Sequence, residues 1–179
     1  MLPVGPLMTE HRLIERMIKL MDKELQRIKQ ENKADPDFIE IAADFLKSYA
    51  DRFHHGKEEY ILFRDLAKKK ISEEHARIMD ELIKEHMLGR NNVKKLIDAK
   101  EAYVKGNEVA LNEIIKNMEI LVKFYPTHIE KEDKQFFVPC TEYLTGQEKD
   151  SMLKEMREFD RNMIHEKYTE VVEGYEKRD

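Results

Sequence analysis

Residues 53–63, Phe-His-His-Gly-Lys-Glu-Glu-Tyr-Ile-Leu-Phe, align without a gap on residues 127–137, Thr-His-Ile-Glu-Lys-Glu-Asp-Lys-Gln-Phe-Phe. The alignment sets His54 on His128, Glu58 on Glu132 and Phe63 on Phe137. A Glu-His dipeptide stands ahead of each copy, Glu10-His11 and Glu85-His86, and the interval from that histidine to the repeat histidine is 43 residues in one copy and 42 in the other. A chain written this way reads as two hairpins of one design. Within each copy the His and Glu are four residues apart, which on a helix places them on adjacent turns of one face. The same spacing at His11/Glu15 and His55/Glu59 shows that spacing alone decides nothing in a chain with 37 acidic residues. Context has to choose among the pairs.

The apolar pattern supplies that context. Residues His11, Ile14, Ile18, Met21, Leu25 and Ile28 alternate steps of three and four, the seam of a helix running from Thr9, as N-cap, to about Gln30. Asp35 caps a second helix with Pro36 in its first turn, carried to about Lys68 by Ile39, Ala43, Leu46, Ala50, His54, Glu58 and Ile61. Ser72 caps a third, reaching about Tyr103, with Met79, Leu82, His86, Val93 and Leu96 inward. After Gly106-Asn107 a fourth helix turns Ile114, Met118, Leu121, Tyr125, His128, Glu132 and Phe136 inward, and Pro126 predicts a kink or local break just before His128. Thr145 with Glu148 forms a capping box opening a fifth helix, whose packing side is Met152, Met156, Phe159 and Met163. With 39% charged residues, only 6 Gly and no Trp, little turn material remains for a sheet. The expectation is an all-α protein: an up-down antiparallel four-helix bundle over residues 1–144, with an additional C-terminal helix, residues 145–179, packed on it.

Helices joined by short loops run antiparallel. His11 and His54 each lie about 20 residues, or roughly 30 Å, from the first hairpin tip, and His86 and His128 lie about as far from the second. The four imidazoles and two carboxylates therefore come level in one layer of an apolar core. Burying them there unpartnered costs several kcal/mol, on the order of the penalty for an isolated ion. One reading is a set of histidines hydrogen-bonded to glutamates. The better one is metal, because imidazole nitrogen and carboxylate oxygen together suit iron, manganese or zinc, and two carboxylates shared among four imidazoles suggest a dinuclear centre. The expected metal residues are His11, His54, Glu58, His86, His128 and Glu132. His55 and Glu59, one step off the seam, are open between orienting the ligands, substituting for a ligand, and a solvated or helix-interface role. His75 sits about 16 Å from His86 along its helix, too far for the same centre, and reads as structural; His165, in the fifth helix, has no carboxylate at matching height and is not expected to be a ligand.

The motif Phe53-His-His-Gly-Lys-Glu-Glu-x-x-Leu-Phe63, the run Glu85-His-x-x-Gly-Arg90, and His128-x-x-x-Glu132 ahead of Phe136-Phe137 resemble the hemerythrin-like, or HHE cation-binding, domain over roughly residues 7–140. The resemblance implies two non-haem iron ions, oxo- or hydroxo-bridged, held by the six residues just named, with zinc or manganese as alternatives. It also implies a small diatomic ligand such as oxygen or nitric oxide. Oxygen-carrying hemerythrins place a second histidine one turn from the ligand on the third helix, where this chain has Leu82 and Arg90. Their last carboxylate is an Asp five residues after the final His, the place of Asp133; the internal repeat favours Glu132.

Three functions share this centre: binding or sensing oxygen or a related small molecule; a di-iron redox enzyme or iron–sulfur and nitric oxide stress-repair factor; and a metal-dependent regulatory module. A Met-rich face on the fifth helix left bare, or covered in a homodimer, favours the third. A net charge of -5 with Lys and Glu interspersed argues against nucleic acid. No apolar run approaches the ~18–20 residues of a membrane span, and the single Cys140 fits a reducing, cytoplasmic setting.

Overall fold

The computed structural model describes the backbone of residues 2–176 and the side chains of residues 2–163. All regular structure among the described residues is helical. Helix α1 spans Gly5–Glu31. Helix α2 covers residues 36–66: an α-helix Pro36–Phe45 widens into π-helical turns at Leu46–His55 and Glu58–Phe63 before a last α-turn, Arg64–Leu66. Helix α3 is Glu73–Val104. Helix α4, residues 110–140, runs as Ala110–Lys131, a π-helical segment Glu132–Phe137 and a final turn Val138–Cys140. After a short 3-10 turn, α5 is Gly146–Glu176. Each of the first four helices packs on its neighbours in the chain, and α1 also packs on α4, which closes the up-down bundle.

Most caps follow from residue chemistry. Asp35 accepts from the backbone N–H of Asp37 and Phe38, and Ser72 accepts from His75. Thr145 and Glu148 bond reciprocally: the Thr145 N–H donates to Glu148 at 2.8 Å and the Glu148 N–H to the Thr145 hydroxyl at 3.3 Å. Two expectations fail. Helix α1 starts at Gly5 rather than Thr9, because Pro6 supplies a preset first turn; the Thr9 hydroxyl donates back to the Gly5 carbonyl instead of capping. Pro126 does not break α4, which stays α-helical to Lys131 and widens only at Glu132.

The core divides into two apolar clusters with the His/Glu layer between them. On α1, Leu7 belongs to one cluster and Ile14 to the other, with His11 between; on α2, His54 and Glu58 separate Ala50 from Ile61; on α3, His86 lies between Leu82 and Val93. Met152 and Met156 of α5 are buried in the cluster that holds Leu7, Leu82 and Phe136, so this part of the Met-rich face is covered by the bundle itself.

Phe159 of α5 crosses α2 at Gly56, where an added Cβ would stand 2.8 Å from the ring. Gly→Ala inside an open helix stabilises by about 0.5–1 kcal/mol. Gly56→Ala is expected to give no such gain in the wild-type chain and to give it in a Phe159→Leu background, as measured by chemical denaturation.

Candidate metal centre

The wide π turns fall on α2 and α4, the two helices that carry the repeat's His and Glu, one turn spanning His54, one starting at Glu58 and one starting at Glu132. Such turns add a residue per turn and re-aim side chains, and they gather at functional positions. Here the six residues expected from the sequence all arrive in one place, and each is at most 2% exposed.

Glu58 lies between two imidazoles, Oε1 at 3.1 Å from His54 Nε2 and Oε2 at 3.2 Å from His86 Nε2. Glu132 does the same on the other side, with Oε2 at 3.2 Å from His11 Nε2 and Oε1 at 3.3 Å from His128 Nε2 and 3.6 Å from His86 Nε2. None of these approaches has hydrogen-bond geometry. The four Nε2 atoms and the four carboxylate oxygens are all buried without a hydrogen-bond partner. Eight orphaned polar atoms aimed at one another are what a cation between them would satisfy, since a protein interior otherwise pairs such groups.

The other nitrogen of each ring is tied down. His11 Nδ1 donates to Asp133 at 2.8 Å, His54 Nδ1 to Glu10 at 2.8 Å, His86 Nδ1 to Glu59 at 2.7 Å and His128 Nδ1 to Glu85 at 2.8 Å. A carboxylate only accepts, so each bond places the proton on Nδ1 and leaves the Nε2 lone pair facing the centre. Each outer carboxylate has a cation of its own: Arg12 for Asp133, Lys57 for Glu10, Arg90 for Glu59 and Lys131 for Glu85. The outer charges thus cancel in pairs, and the charge left for the centre is that of Glu58 and Glu132.

That residual charge governs the protonation of the ligand-free site. Burial opposes charge on His11, but Asp133 and Glu132 outweigh it and lift the imidazole to about 10. Burial likewise opposes and carboxylates overcome it at His54, through Glu58 and Glu10, and at His86, through Glu132 and Glu58; both rise. The Glu58 carboxyl moves the other way, held well below its usual range against burial by His54 and His86. The layer therefore calls for positive charge, which protons or metal ions can supply.

Glu59 and Asp133 orient His86 and His11 rather than facing the centre, so Glu132 is the inward carboxylate of its pair, as the repeat suggests. His55 is buried and donates to Asp51 at 3.3 Å. Its ligand-capable atoms lie within 4.8 Å of those of His86 and His128, a second group beside that of His11, His54, Glu58 and Glu132. Yet its ring stacks on His86, with centroids 3.9 Å apart and planes 11° from parallel. Because an imidazole lone pair lies in the ring plane, an ion in line with His86 is out of line with His55, which packs on the site rather than completing it. His75 bonds Tyr143 at 2.8 Å, away from the cluster, and His165 lies outside the described side chains. Of the outer carboxylates only Glu59 was legible in the sequence as an orienting residue; the orienting roles of Glu10, Glu85 and Asp133 were not, although the same signal was present, since an acid adjoins His11, His86 and Glu132 as it does Glu58.

The hemerythrin HHE cation binding domain matches residues 2–140. Neither a curated protein nor a solved structure matches the chain. No helix among the described residues is long and apolar enough to cross a membrane. The buried group of His11, His54, Glu58 and Glu132 fits a cation site, and with most of its length matched the chain belongs to the hemerythrin HHE cation-binding domain family.

Proposed function

We propose that the layer holds two iron ions, one beside His11 and His54 and one beside His86 and His128, with Glu58 and Glu132 between them, and that the centre binds oxygen or a related small molecule such as nitric oxide. The observation that carries this reading is the set of eight buried, unpartnered donor atoms, all from these six residues and arranged as two imidazole pairs around two carboxylates. A mixed nitrogen and oxygen donor set with shared carboxylates suits iron better than an all-oxygen or thiolate site would. Iron so held would supply coordination positions that four imidazoles and two carboxylates leave open. The protein's own contribution is to fix each imidazole by its outer carboxylate, to turn Nε2 rather than Nδ1 toward the centre, and to exclude water with the two apolar clusters.

The test is the metal content of the purified protein together with its optical spectrum, with and without air. Two irons per chain with near-ultraviolet ligand-to-iron charge-transfer bands that change on exposure to oxygen or nitric oxide are expected. Metal-free protein that stays folded and is unchanged by His54→Ala would overturn the reading; zinc or manganese alone would keep the residues and replace the chemistry. Asp133→Ala separates the two adjacent carboxylates: as an orienting partner its loss weakens metal binding by about 10–100-fold without abolishing it, whereas Glu132→Ala removes the ions.

A further inference from the structure

A cavity of about 490 Å³ opens between α2 and α3 beside the centre. Its inner wall is made of buried residues, Leu46, His55, Val93 and Tyr125, and its rim carries the exposed Lys47 and Lys94. A diatomic molecule needs about the space of one water, roughly 30 Å³; a cavity of this size falls in the range of sites for organic ligands, about 300–1,000 Å³. The wall is mostly apolar and the rim is cationic. The other charged groups of the cavity are spoken for: Arg90 donates to Asp51 at 2.8 Å and to Glu59 at 2.7 Å. Lys94 has only an exposed contact with Asp98 at 3.3 Å, and Lys47 has no hydrogen bond or ion pair among the described residues. The inner end is His55, whose ring lies on that of His86.

We propose that this cavity binds an organic anion with an apolar body, of the medium-chain carboxylate class, with its carboxylate between Lys47 and Lys94 and its chain running inward to His55. Charge complementarity selects the anion: Asp51 is the one acidic group lining the cavity and is already held by Arg90. The mostly apolar wall selects the chain over a small inorganic anion, because past the rim the one strong cation, Arg90, is already engaged by Asp51 and Glu59. The inference deepens the small-molecule reading by adding an organic ligand beside the centre, and it rests on that reading only for what happens to the ligand, because binding in the cavity uses none of the six proposed metal residues.

The test is calorimetric titration of the metal-loaded full chain with decanoate, decanol and decyltrimethylammonium, with metal content measured on the same samples. Decanoate is expected to bind about five- to tenfold more tightly than decanol, the effect of two exposed lysines, and decyltrimethylammonium most weakly. Val93→Trp fills the cavity and is expected to abolish binding with the metal content unchanged; Ile97→Trp, on the half-buried part of the wall, serves the same purpose if Val93→Trp does not fold. Lys47→Glu with Lys94→Glu is expected to remove the preference for the anion and keep decanol binding. Equal affinity for all three probes, or decanoate binding undisturbed by either tryptophan, overturns the proposal. Decanoate bound by protein that carries no metal leaves the cavity standing and sinks the reading of the centre; metal-loaded protein that ignores decanoate does the reverse.

Discussion

Glu58→Ala is expected to release both metal ions, where His54→Ala weakens mainly one. The difference follows from position. His54 presents one nitrogen to the layer, but Glu58 has one oxygen 3.1 Å from His54 and the other 3.2 Å from His86, so its loss removes a donor from each half. Metal retained after dialysis is expected to fall from two equivalents per chain to below about half an equivalent, since loss of an orienting partner alone costs about 10–100-fold and a shared donor costs more. Stability should fall with or without loading, and further with metal. Metal-loaded wild type gains about 4 kcal/mol when free ion exceeds its dissociation constant a thousandfold, and Glu58→Ala forgoes that gain. Without metal the variant still loses stability, because His54 and His86 hold the Glu58 carboxyl well below its usual range and its removal leaves those buried imidazoles without their shared partner. Denaturation of both proteins with and without iron separates the two losses. A Glu58→Ala protein that keeps two ions sinks the shared-carboxylate arrangement.

The bundle and the layer were legible in the sequence because both are periodic. Apolar residues recur at helical spacing on every arm, and the four histidines continue those seams, so the same pattern that buries Ile14 and Leu46 also buries His11 and His54. Backbone detail was less legible. The π turns at Glu58 and Glu132 have no turn residue to announce them; they depend on how α2 and α4 settle against their neighbours, which is a tertiary effect. Pro126 predicts a kink or a local break, and α4 continues through it without a break. His55 shows the limit of spacing. With Glu59 it forms as good a pair as His54 with Glu58, yet the repeat sets Ile129 opposite it, and the structure gives the two residues different work: His55 stacks on His86 while Glu59 orients that same ring.

Lys57 is expected to matter far more than Lys131, its counterpart in the repeat. Each donates to the glutamate that orients a histidine, Lys57 to Glu10 and Lys131 to Glu85. Burial separates them. Lys131 is 19% exposed and shares its charge with Glu81 at 3.3 Å, so water can replace it; Lys131→Met should cost no more than about 1 kcal/mol. Lys57 is fully buried, stands 3.8 Å above the centre of the Phe53 ring, and reaches Asp160 of α5 at 2.8 Å. Removing its charge leaves the nearly buried Glu10, its side chain 11% exposed, without its cation, and breaking a buried pair in this way costs up to about 3–5 kcal/mol. Lys57→Met should therefore lower the denaturation midpoint sharply. It should also loosen metal binding by about 10–100-fold, because Glu10 would no longer be held against His54. The two effects share one cause, so a variant that restores Glu10, Lys57→Arg, should recover part of both. If Lys57→Met and Lys131→Met prove equally mild, the packing of α5 over the first copy of the repeat does not carry the energetic weight that burial assigns to it.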